Sequence, residues 1–384
     1  MTKDKGQRTN DKRQITNDQG QTKTERQVKF EVGGAFYNSG SRLGRDLAVL
    51  AARVQRDRVG QLRILDTMTG CGVRPLRYLA ESKADWIWAN EGNPDILPLI
   101  NRNLADAIAS GQVQITCKDA NRVLVDCYNR RDYYDLVDID CFGSPAPFLH
   151  TGLMAVRIGG LLYLTSTDGR TATGHRPEGG LGVYGALPRS HPAAHEQGLR
   201  LLLGSLQQQA AMQDLGIQPV FSLFSGEIYR VMVRVVRKKQ LSSTNYGFLG
   251  YCHACGEYRT INWRKLGKAS CAYDDKPLTL SGPMSLGALH DRATLEKMRA
   301  IAQTWQWWDC VEILEIMQAE AELPPYFYLL GEIGKRGKMD IPARDRLMKS
   351  LQDRGYLATP THIHPEAIKT NADLHTCIDL ARQL

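Results

Sequence analysis

Short β-rich runs alternate with segments of helical periodicity from Phe30 to about Arg237, and this alternation constrains the fold more than any other feature of the chain. Strands that alternate with helices usually lie parallel in one sheet with helices on both faces. One predicted helix, His195–Met212, carries its leucines on a single stripe. Seven runs are strand candidates: Leu62–Asp66, Trp86–Asn90, Val113–Cys117, Asp135–Asp140, Gly160–Ser166, Pro219–Ser225 and Tyr229–Arg237.

The 384 residues exceed one ordinary domain of ~100–200 residues, so we expect two domains. We predict a disordered tail over residues 1–29, which are almost all polar. An α/β domain over residues 30–240 and a smaller α+β domain over 241–384 follow it. No run approaches the ~18 consecutive apolar residues of a membrane helix, and the polar N-terminus is unlike a secretory signal. The nine cysteines then indicate reduced thiols and a cytoplasmic protein.

An acidic residue stands at or just after the end of each of the first four predicted strands: Asp66, Glu91, Asp119 and Asp140. The carboxyl ends of parallel strands meet at one edge of the sheet, where open α/β folds bind ligands. Such acids suit S-adenosylmethionine, which offers an amino group, ribose hydroxyls and an adenine amine. The turn Thr67–Gly72 adds glycines that allow close backbone approach. We therefore predict a class I methyltransferase (Rossmann-like) fold, although each acid alone is equally typical of a helix cap.

The loop after the fourth strand, Asp138–Phe148, combines an acid, an aromatic residue and prolines. An exocyclic guanine amine is a poor nucleophile, because its lone pair is delocalised into the ring. A carboxylate that accepts its hydrogens exposes that lone pair, and an aromatic ring stacks the base in line for transfer. Asp140 and Phe142 are the candidates for these roles. The alternative is a loop that is simply rich in turn-forming residues.

Several further segments, with those above, resemble the family of tRNA guanine-N2 dimethyltransferases that act at tRNA position 26. They span nearly everything after the tail: Gly33–Asn38, Arg45–Asp46, the turn after Asp66, Asp119–Asn121, the Asp140 loop, Tyr184–Gly185, His195–Glu196, Leu199–Arg200, Tyr229–Val231, Leu323–Pro325, Thr361–His362 and Ile368–Thr370.

The resemblance implies a methyltransferase domain followed by a family-specific C-terminal domain, with tRNA as partner. It also implies that Asp140 holds the target amine and that Phe142 and Phe36 bound the base pocket. Cys141 departs from the family, which usually has proline there, and predicts a less constrained loop. The residues that the resemblance assigns to the cofactor are Arg45, Asp66, Glu91, Asp119 and Ala120.

The C-terminal domain opens with three cysteines, Cys252, Cys255 and Cys271, at a spacing that suggests an incomplete zinc ribbon. Asp274 stands where a fourth cysteine would be expected, and His253 is the other possible fourth ligand. The alternative is a knuckle that packs without metal.

Basic residues near the C-terminus are predicted to contact tRNA phosphates, which set affinity and register more than sequence choice. Solvated helix faces are the alternative. The formal charge of +8 permits a polyanionic partner. The end of the chain suggests a winged-helix-like unit. The cluster of Trp305, Trp307 and Trp308 is more typical of a hydrophobic core than of a surface on which bases stack. The basic residues are Lys335, Arg336, Lys338, Arg344, Arg346, Lys349 and Arg354.

Three functions stay open at this point. A tRNA guanine-N2 methyltransferase, without an obligate protein partner, fits all of these features. An amino-methyltransferase for another nucleic acid fits the acids but not the C-terminal resemblance. A non-catalytic RNA-binding protein would not need acids at all four strand ends. The sequence does not decide between mono- and dimethylation.

Overall fold

The computed structural model describes residues 22–384. Its strands are β1 (Thr22–Glu25), β2 (Val28–Glu31), β3 (Arg63–Asp66), β4 (Trp86–Asn90), β5 (Val113–Thr116), β6 (Tyr134–Ile139), β7 (Val156–Ser166), β8 (Gly216–Ser225), β9 (Ile228–Val236), β10 (Tyr246–Tyr251), β11 (Tyr258–Ile261), β12 (Thr279–Ser285), β13 (Tyr328–Leu329), β14 (Ala358–Pro360) and β15 (Ala367–Thr370). Its α-helices are α1 (Arg42–Val59), α2 (Val73–Ala80), α3 (Leu97–Asn103), α4 (Ala105–Ala109), α5 (Ala120–Arg130), α6 (Leu149–Ala155), α7 (Gly169–Ala172), α8 (Pro177–Tyr184), α9 (Ala194–Met212), α10 (Arg292–Thr304), α11 (Trp308–Glu320), α12 (Leu330–Gly337), α13 (Arg344–Asp353) and α14 (Leu374–Ala381).

The central sheet has seven strands in the order β5-β4-β3-β6-β7-β9-β8. All seven predicted strands are present, and only β9 runs antiparallel to its neighbours β7 and β8. The chain reverses its direction of winding between β3 and β6, which lie side by side and parallel. Such a switch point opens a crevice beyond the carboxyl ends of the two strands. This topology brings Asp66, Glu91, Asp119 and Asp140 to one edge of the sheet.

The predicted disordered tail is wrong for residues 22–29, because β1 and β2 form an antiparallel hairpin. Residues 1–21 of that tail lie outside the described residues. Val28 and Phe30 are buried against α3, and Glu25 is buried between two arginines, Arg45 and Arg77. Ion pairs to distant residues thus stabilise a segment whose own apolar content is low.

The C-terminal half contains two three-stranded antiparallel sheets, β11-β10-β12 and β13-β15-β14, together with α10–α14. This agrees with the predicted α+β class. The small sheet β13-β15-β14 with α12 and α13 occupies the position of the predicted winged-helix-like unit.

The hydrophobic core is continuous across the predicted domain boundary at residue 240. α10 and α11 pack on α1, with Leu295 and Leu314 in one buried cluster with Leu50. Elsewhere in the interface Lys369 of β15 donates to Glu196 of α9, at 2.8 Å, with both side chains buried. Removal of the C-terminal half would therefore expose core surface of the first half, and point substitutions are the better test of its role.

Candidate active site

A cavity of about 1190 Å³ lies beyond the carboxyl ends of β3, β4 and β6. This volume exceeds the usual ~300–1,000 Å³ of a small-molecule site, so it can hold more than one small ligand. Its walls come from the loop before α1, the turn after β3, the ends of β4 and β5, the loop after β6 and the β8–β9 turn. The wall residues that matter below are Phe36, Arg45, Arg74, Glu91, Asp119, Ala120, Asp140, Cys141, Phe142, Thr167 and Glu227.

Glu91 and Asp119 line the cavity and also hold their own loops in place. The Glu91 carboxylate accepts hydrogen bonds from the backbone N–H groups of Gly70 and Asn93, both at 2.9 Å. Asp119 caps α5 by accepting from the N–H of Arg122 at 3.1 Å. Asp119 thus caps a helix and also lines the cavity, so its roles as a helix cap and as a ligand-binding acid are compatible.

Asp66 lies behind the cavity wall. It is fully buried, and it pairs in register with Asp138 on the neighbouring strand β6. Burial, and then the negative charge of Asp138, raise the pKa of Asp66 well above its usual value. The predicted direct contact of Asp66 with a cofactor therefore has no geometric support, whereas the other four predicted cofactor residues line the cavity.

Arg45 lines the cavity, but its guanidinium is already committed. Two of its nitrogens donate to Glu25 at 2.8 and 2.6 Å, and its charge lies 5.1 Å from the centre of the Tyr37 ring. Burial acts to raise the pKa of Glu25, but the hydrogen bond and charge of Arg45, with Arg77, lower it to about 2. Arg45 thus fastens the β1–β2 hairpin to the cavity rim.

Asp140 follows β6 directly, and its side chain is 31% exposed to the cavity. Arg74 of α2 donates to Asp140 Oδ2 through Nε at 3.0 Å and through Nη2 at 2.5 Å. Burial acts to raise the pKa of Asp140, but the charges of Arg74 and Arg230 outweigh it, so the pKa is lowered. The candidate catalytic acid is therefore an anion at neutral pH.

Cys141 is buried, and its thiol donates to the carbonyl of Thr165 at 3.3 Å. Burial, with the charge of Asp140, raises the pKa of Cys141 to about 12, which excludes a reactive thiolate. Gly143 and Thr167 are joined by two more hydrogen bonds, each 2.8 Å. These contacts to the end of β7 constrain the loop without proline, so the predicted loss of constraint is not what the structure shows.

Phe36 and Phe142 stand on the cavity wall with 76% and 75% of their surface exposed. Two exposed aromatic rings on one cavity wall offer faces on which a planar base can stack. Both were predicted to bound a base pocket, and the structure brings both to the same cavity as Asp140.

Sequence reasoning missed Arg74, Thr167 and Glu227. Arg74 follows the glycine turn directly, but its link to Asp140 depends on α2 and β6 being adjacent. Thr167 follows β7, and Glu227 lies in the β8–β9 turn. Both are distant in sequence from the turn after β3, and no local motif marks them.

The cysteine cluster forms as predicted, with Asp274 in place of His253. One ligand atom each from Cys252, Cys255, Cys271 and Asp274 lies within 4.8 Å of the others. Cys255 Sγ and Cys271 Sγ are 3.4 Å apart, and Cys252 Sγ is 3.4 Å from Asp274 Oδ2. This donor set and spacing suit a tetrahedral zinc ion.

The predicted tRNA-binding residues near the C-terminus are partly neutralised by local acids. Glu332 pairs with Arg336 at 3.0 Å, and Asp353 pairs with Lys349 at 2.6 Å. Among the tryptophans, Trp307 is buried as predicted. Trp308 is 63% exposed, so the prediction that it belongs to the hydrophobic core is wrong. No helix among residues 22–384 has the length and apolarity needed to cross a membrane.

A central sheet of seven strands with one antiparallel strand, and a cavity at its switch point, define the class I methyltransferase fold. The sequence pattern of the N2,N2-dimethylguanosine tRNA methyltransferase family matches residues 15–382, so the chain belongs to that family. The predicted family and fold class are thereby confirmed.

Curated relatives and a solved structure agree with this assignment. The tRNA (guanine(26)-N(2))-dimethyltransferase of Methanothermobacter thermautotrophicus is 30% identical over 348 residues, covering 88% of this chain and 90% of the relative. The enzyme of the same name from Pyrococcus abyssi is 28% identical over 365 residues, covering 90% and 92%. The structure of Trm1 from Pyrococcus horikoshii in complex with S-adenosyl-L-methionine matches with a TM-score of 0.81 and 26% identity, covering 94% of this chain and 99% of that one.

Proposed function

We propose that this protein transfers methyl groups from S-adenosylmethionine to the exocyclic N2 amine of guanine 26 in tRNA, first to the mono- and then to the dimethylated product. The observation that carries the proposal is the shared cavity. It combines an anionic Asp140, two exposed phenylalanines and the cofactor-side acids Glu91 and Asp119 in one space. The names and activities of the relatives support the same reaction.

The residues present fit S-adenosylmethionine. Glu91, Asp119 and the backbone at Ala120 offer acceptors and a donor for its hydroxyls and adenine, and the glycine turn after β3 allows close approach. When bound, the cofactor supplies an electrophilic methyl group. Phe36 and Phe142 would flank the guanine and limit its orientation. Asp140 would accept a hydrogen bond from the N2 amine and stabilise the positive charge that develops on nitrogen.

For the tRNA itself we propose a docking surface on the ribbon around β11. Arg259, Arg264, Lys265 and Lys268 are exposed there, beside the 43%-exposed Trp263. Within residues 22–384, no carboxylate forms an ion pair with any of these four cations. Their charge is therefore available for phosphates, in contrast to the partly neutralised cations near the C-terminus.

The cysteine cluster supports a second, structural proposal, that Cys252, Cys255, Cys271 and Asp274 bind zinc. The four ligand atoms are already close together, and replacement of one thiolate by a carboxylate makes the site weaker than a four-cysteine site. All nine cysteines are free thiols in the structure, which supports the proposed cytoplasmic location.

Mass spectrometry of nucleosides, after incubation of unmodified tRNA with the protein and isotope-labelled cofactor, tests the function. We expect labelled N2-methylguanosine early and N2,N2-dimethylguanosine later, and neither in a tRNA that carries adenine at position 26. Label in another nucleoside, or in none, would refute the proposal. Label at a second guanine beside position 26 would extend it.

A further inference from the structure

Arg74 holds Asp140 by one oxygen only. Both hydrogen bonds from Arg74 fall on Oδ2, at 3.0 and 2.5 Å. The hydroxyl of Thr165 also stabilises the carboxylate, and the side chain is part of the cavity wall. The Asp140 carboxylate therefore has one oxygen fixed by Arg74 and a second, Oδ1, to which Arg74 does not donate.

Arg74 cannot move to follow another partner. It is 4% exposed, and its Nη1 donates to Asp138 Oδ2 at 2.9 Å. Asp138 is fully buried and also accepts from the hydroxyl of Tyr78 at 2.7 Å. The Tyr163 ring lies 5.6 Å from the centre of the guanidinium. Hydrogen bonds to both acids thus fix the Arg74 guanidinium, which bridges the buried Asp138 and the cavity-lining Asp140.

We propose that Arg74 is the positioning residue of the methyl-transfer site. It keeps Asp140 ionised with Oδ1 directed toward the target amine, and it restores that state between two successive transfers to one nitrogen. This inference rests on the proposed function, since it concerns the acid that would hold the guanine amine.

The proton balance shows why restoration matters. In each transfer the nitrogen lone pair forms the N–C bond while the S–C electron pair stays on sulfur. The nitrogen then carries a positive charge and loses one proton, which Asp140 Oδ1 accepts. A second transfer requires that this proton has left to solvent, and the neighbouring guanidinium favours its departure by stabilising the carboxylate.

Other charged and titratable groups also face Asp140. Arg230 of β9 adds positive charge, and the buried Asp66 lies close enough for its charge to interact with that of Asp140. These groups stay in place when Arg74 is changed, so the effect of Arg74 can be measured separately. Among residues 22–384, the titratable groups that interact with Asp140 are Asp66, Arg74, Asp138, Cys141, Tyr163 and Arg230.

The test compares Asp138→Asn with the double variant Arg74→Met/Asp138→Asn, because Arg74→Met alone would leave Asp138 buried without its counter-ion and could unfold the protein. Single-turnover methylation of tRNA is measured across pH, together with the ratio of mono- to dimethylated product. Cofactor affinity is measured by calorimetry to show that the fold and the cofactor side are retained. Arg63→Met, at the opposite end of β3, is the matched control, since Arg63 pairs with Asp132 away from the cavity.

The expected signature is a change in pH dependence as well as in rate. Without Arg74 the pKa of Asp140 rises, so the rate should fall about ten-fold per unit as pH drops below that raised value. Monomethylated product should then accumulate as the pH is lowered. Arg74→Lys, which keeps the charge, should restore much of the ordinary profile, and Arg63→Met should keep it unchanged. An unchanged profile and product ratio in the double variant, at whatever rate, would overturn the role of Arg74. Failure of the wild-type protein to methylate guanine would instead overturn the proposed function.

Discussion

The acidic groups at the cavity edge of the sheet and those of the cysteine cluster are compensated in different ways. At the cavity edge, Asp138 and Asp140 share one guanidinium, that of Arg74, at 2.9 and 2.5 Å. In the cysteine cluster, no lysine or arginine among residues 22–384 forms an ion pair with Asp274. Burial, with the neighbouring thiols, raises the pKa of Cys255 to about 12.

The difference separates two kinds of preorganisation. The cavity edge carries its own counter-ion and is organised before any ligand binds. The cysteine cluster reaches charge balance only as neutral thiols or around a cation. Among residues 22–384, the exposed cations on and just after β11 likewise form no ion pair. The cavity edge thus satisfies its acids internally, whereas the cysteine cluster and the ribbon around β11 leave charge for external partners.

The largest effect should come from Asp140. Asp140→Asn keeps the size and one acceptor but removes the charge, so single-turnover methylation should slow by roughly 10²–10³-fold. Cofactor affinity should stay nearly unchanged, because Glu91 and Asp119 follow two other strands, β4 and β5. Asp138→Asn should lower stability more than rate, since Asp138 is buried and supports Arg74 and Tyr78. Near-normal turnover of Asp140→Asn would show that Asp140 is not the catalytic acid.

Glu91 lines the cavity, whereas Asp66 is buried behind its wall. Substitutions at these two residues therefore compare the two kinds of acid at the same edge of the sheet. Glu91→Gln should weaken binding of S-adenosylmethionine by about 10–100-fold, on the scale of ~1.5–3 kcal/mol for a hydrogen bond to a charged group. Asp66→Asn should change it by less than about three-fold, because Asp66 is buried behind the cavity wall and an amide has a shape similar to that of a carboxyl group. Calorimetry without tRNA measures both, and equal losses would place Asp66 back among the cofactor ligands.

The exposed cations on the β11 ribbon should affect tRNA binding but not cofactor binding. The triple variant Arg264→Gln/Lys265→Gln/Lys268→Gln should reduce the slope of log affinity against log salt by about 1 for each lost phosphate contact. A triple variant of the C-terminal cations, Arg344→Gln/Lys349→Gln/Arg354→Gln, is the control and should reduce it less. The reverse order would favour the C-terminal surface that the sequence predicted.

The smallest effect concerns zinc. Elemental analysis should find zinc below one equivalent per chain, or zinc that a chelator removes, because Asp274 replaces a thiolate. Asp274→Cys should retain the metal through the same treatment and thus supplies the matched comparison. One tightly held zinc in the wild-type protein would show that the Asp274 carboxylate is as good a ligand here as a fourth cysteine.

The strands and most of the cavity could be predicted because strand ends and turn glycines are local signals. The burial of Asp66 could not be predicted, since the sequence does not tell whether a strand-end side chain faces the cavity or the neighbouring strand. Arg74 escaped notice because its partners, Asp138 and Asp140, are more than sixty positions away. The hairpin was missed for the same reason: Glu25 is stabilised by Arg45 and Arg77, and composition alone carries no sign of them.

The β1–β2 hairpin also has a consequence for the order in which the protein is made. Arg26 at its turn donates to Asp46 of α1 and to Asp309 of α11, which is 283 positions later in the chain. Its guanidinium lies 4.5 Å from the Trp307 ring. Closing so distant a contact is slow compared with local folding. During synthesis the contacts of Arg26 with α11 are therefore made only after about four-fifths of the chain has left the ribosome, later than the contacts that hold the hairpin to Arg45 and Arg77.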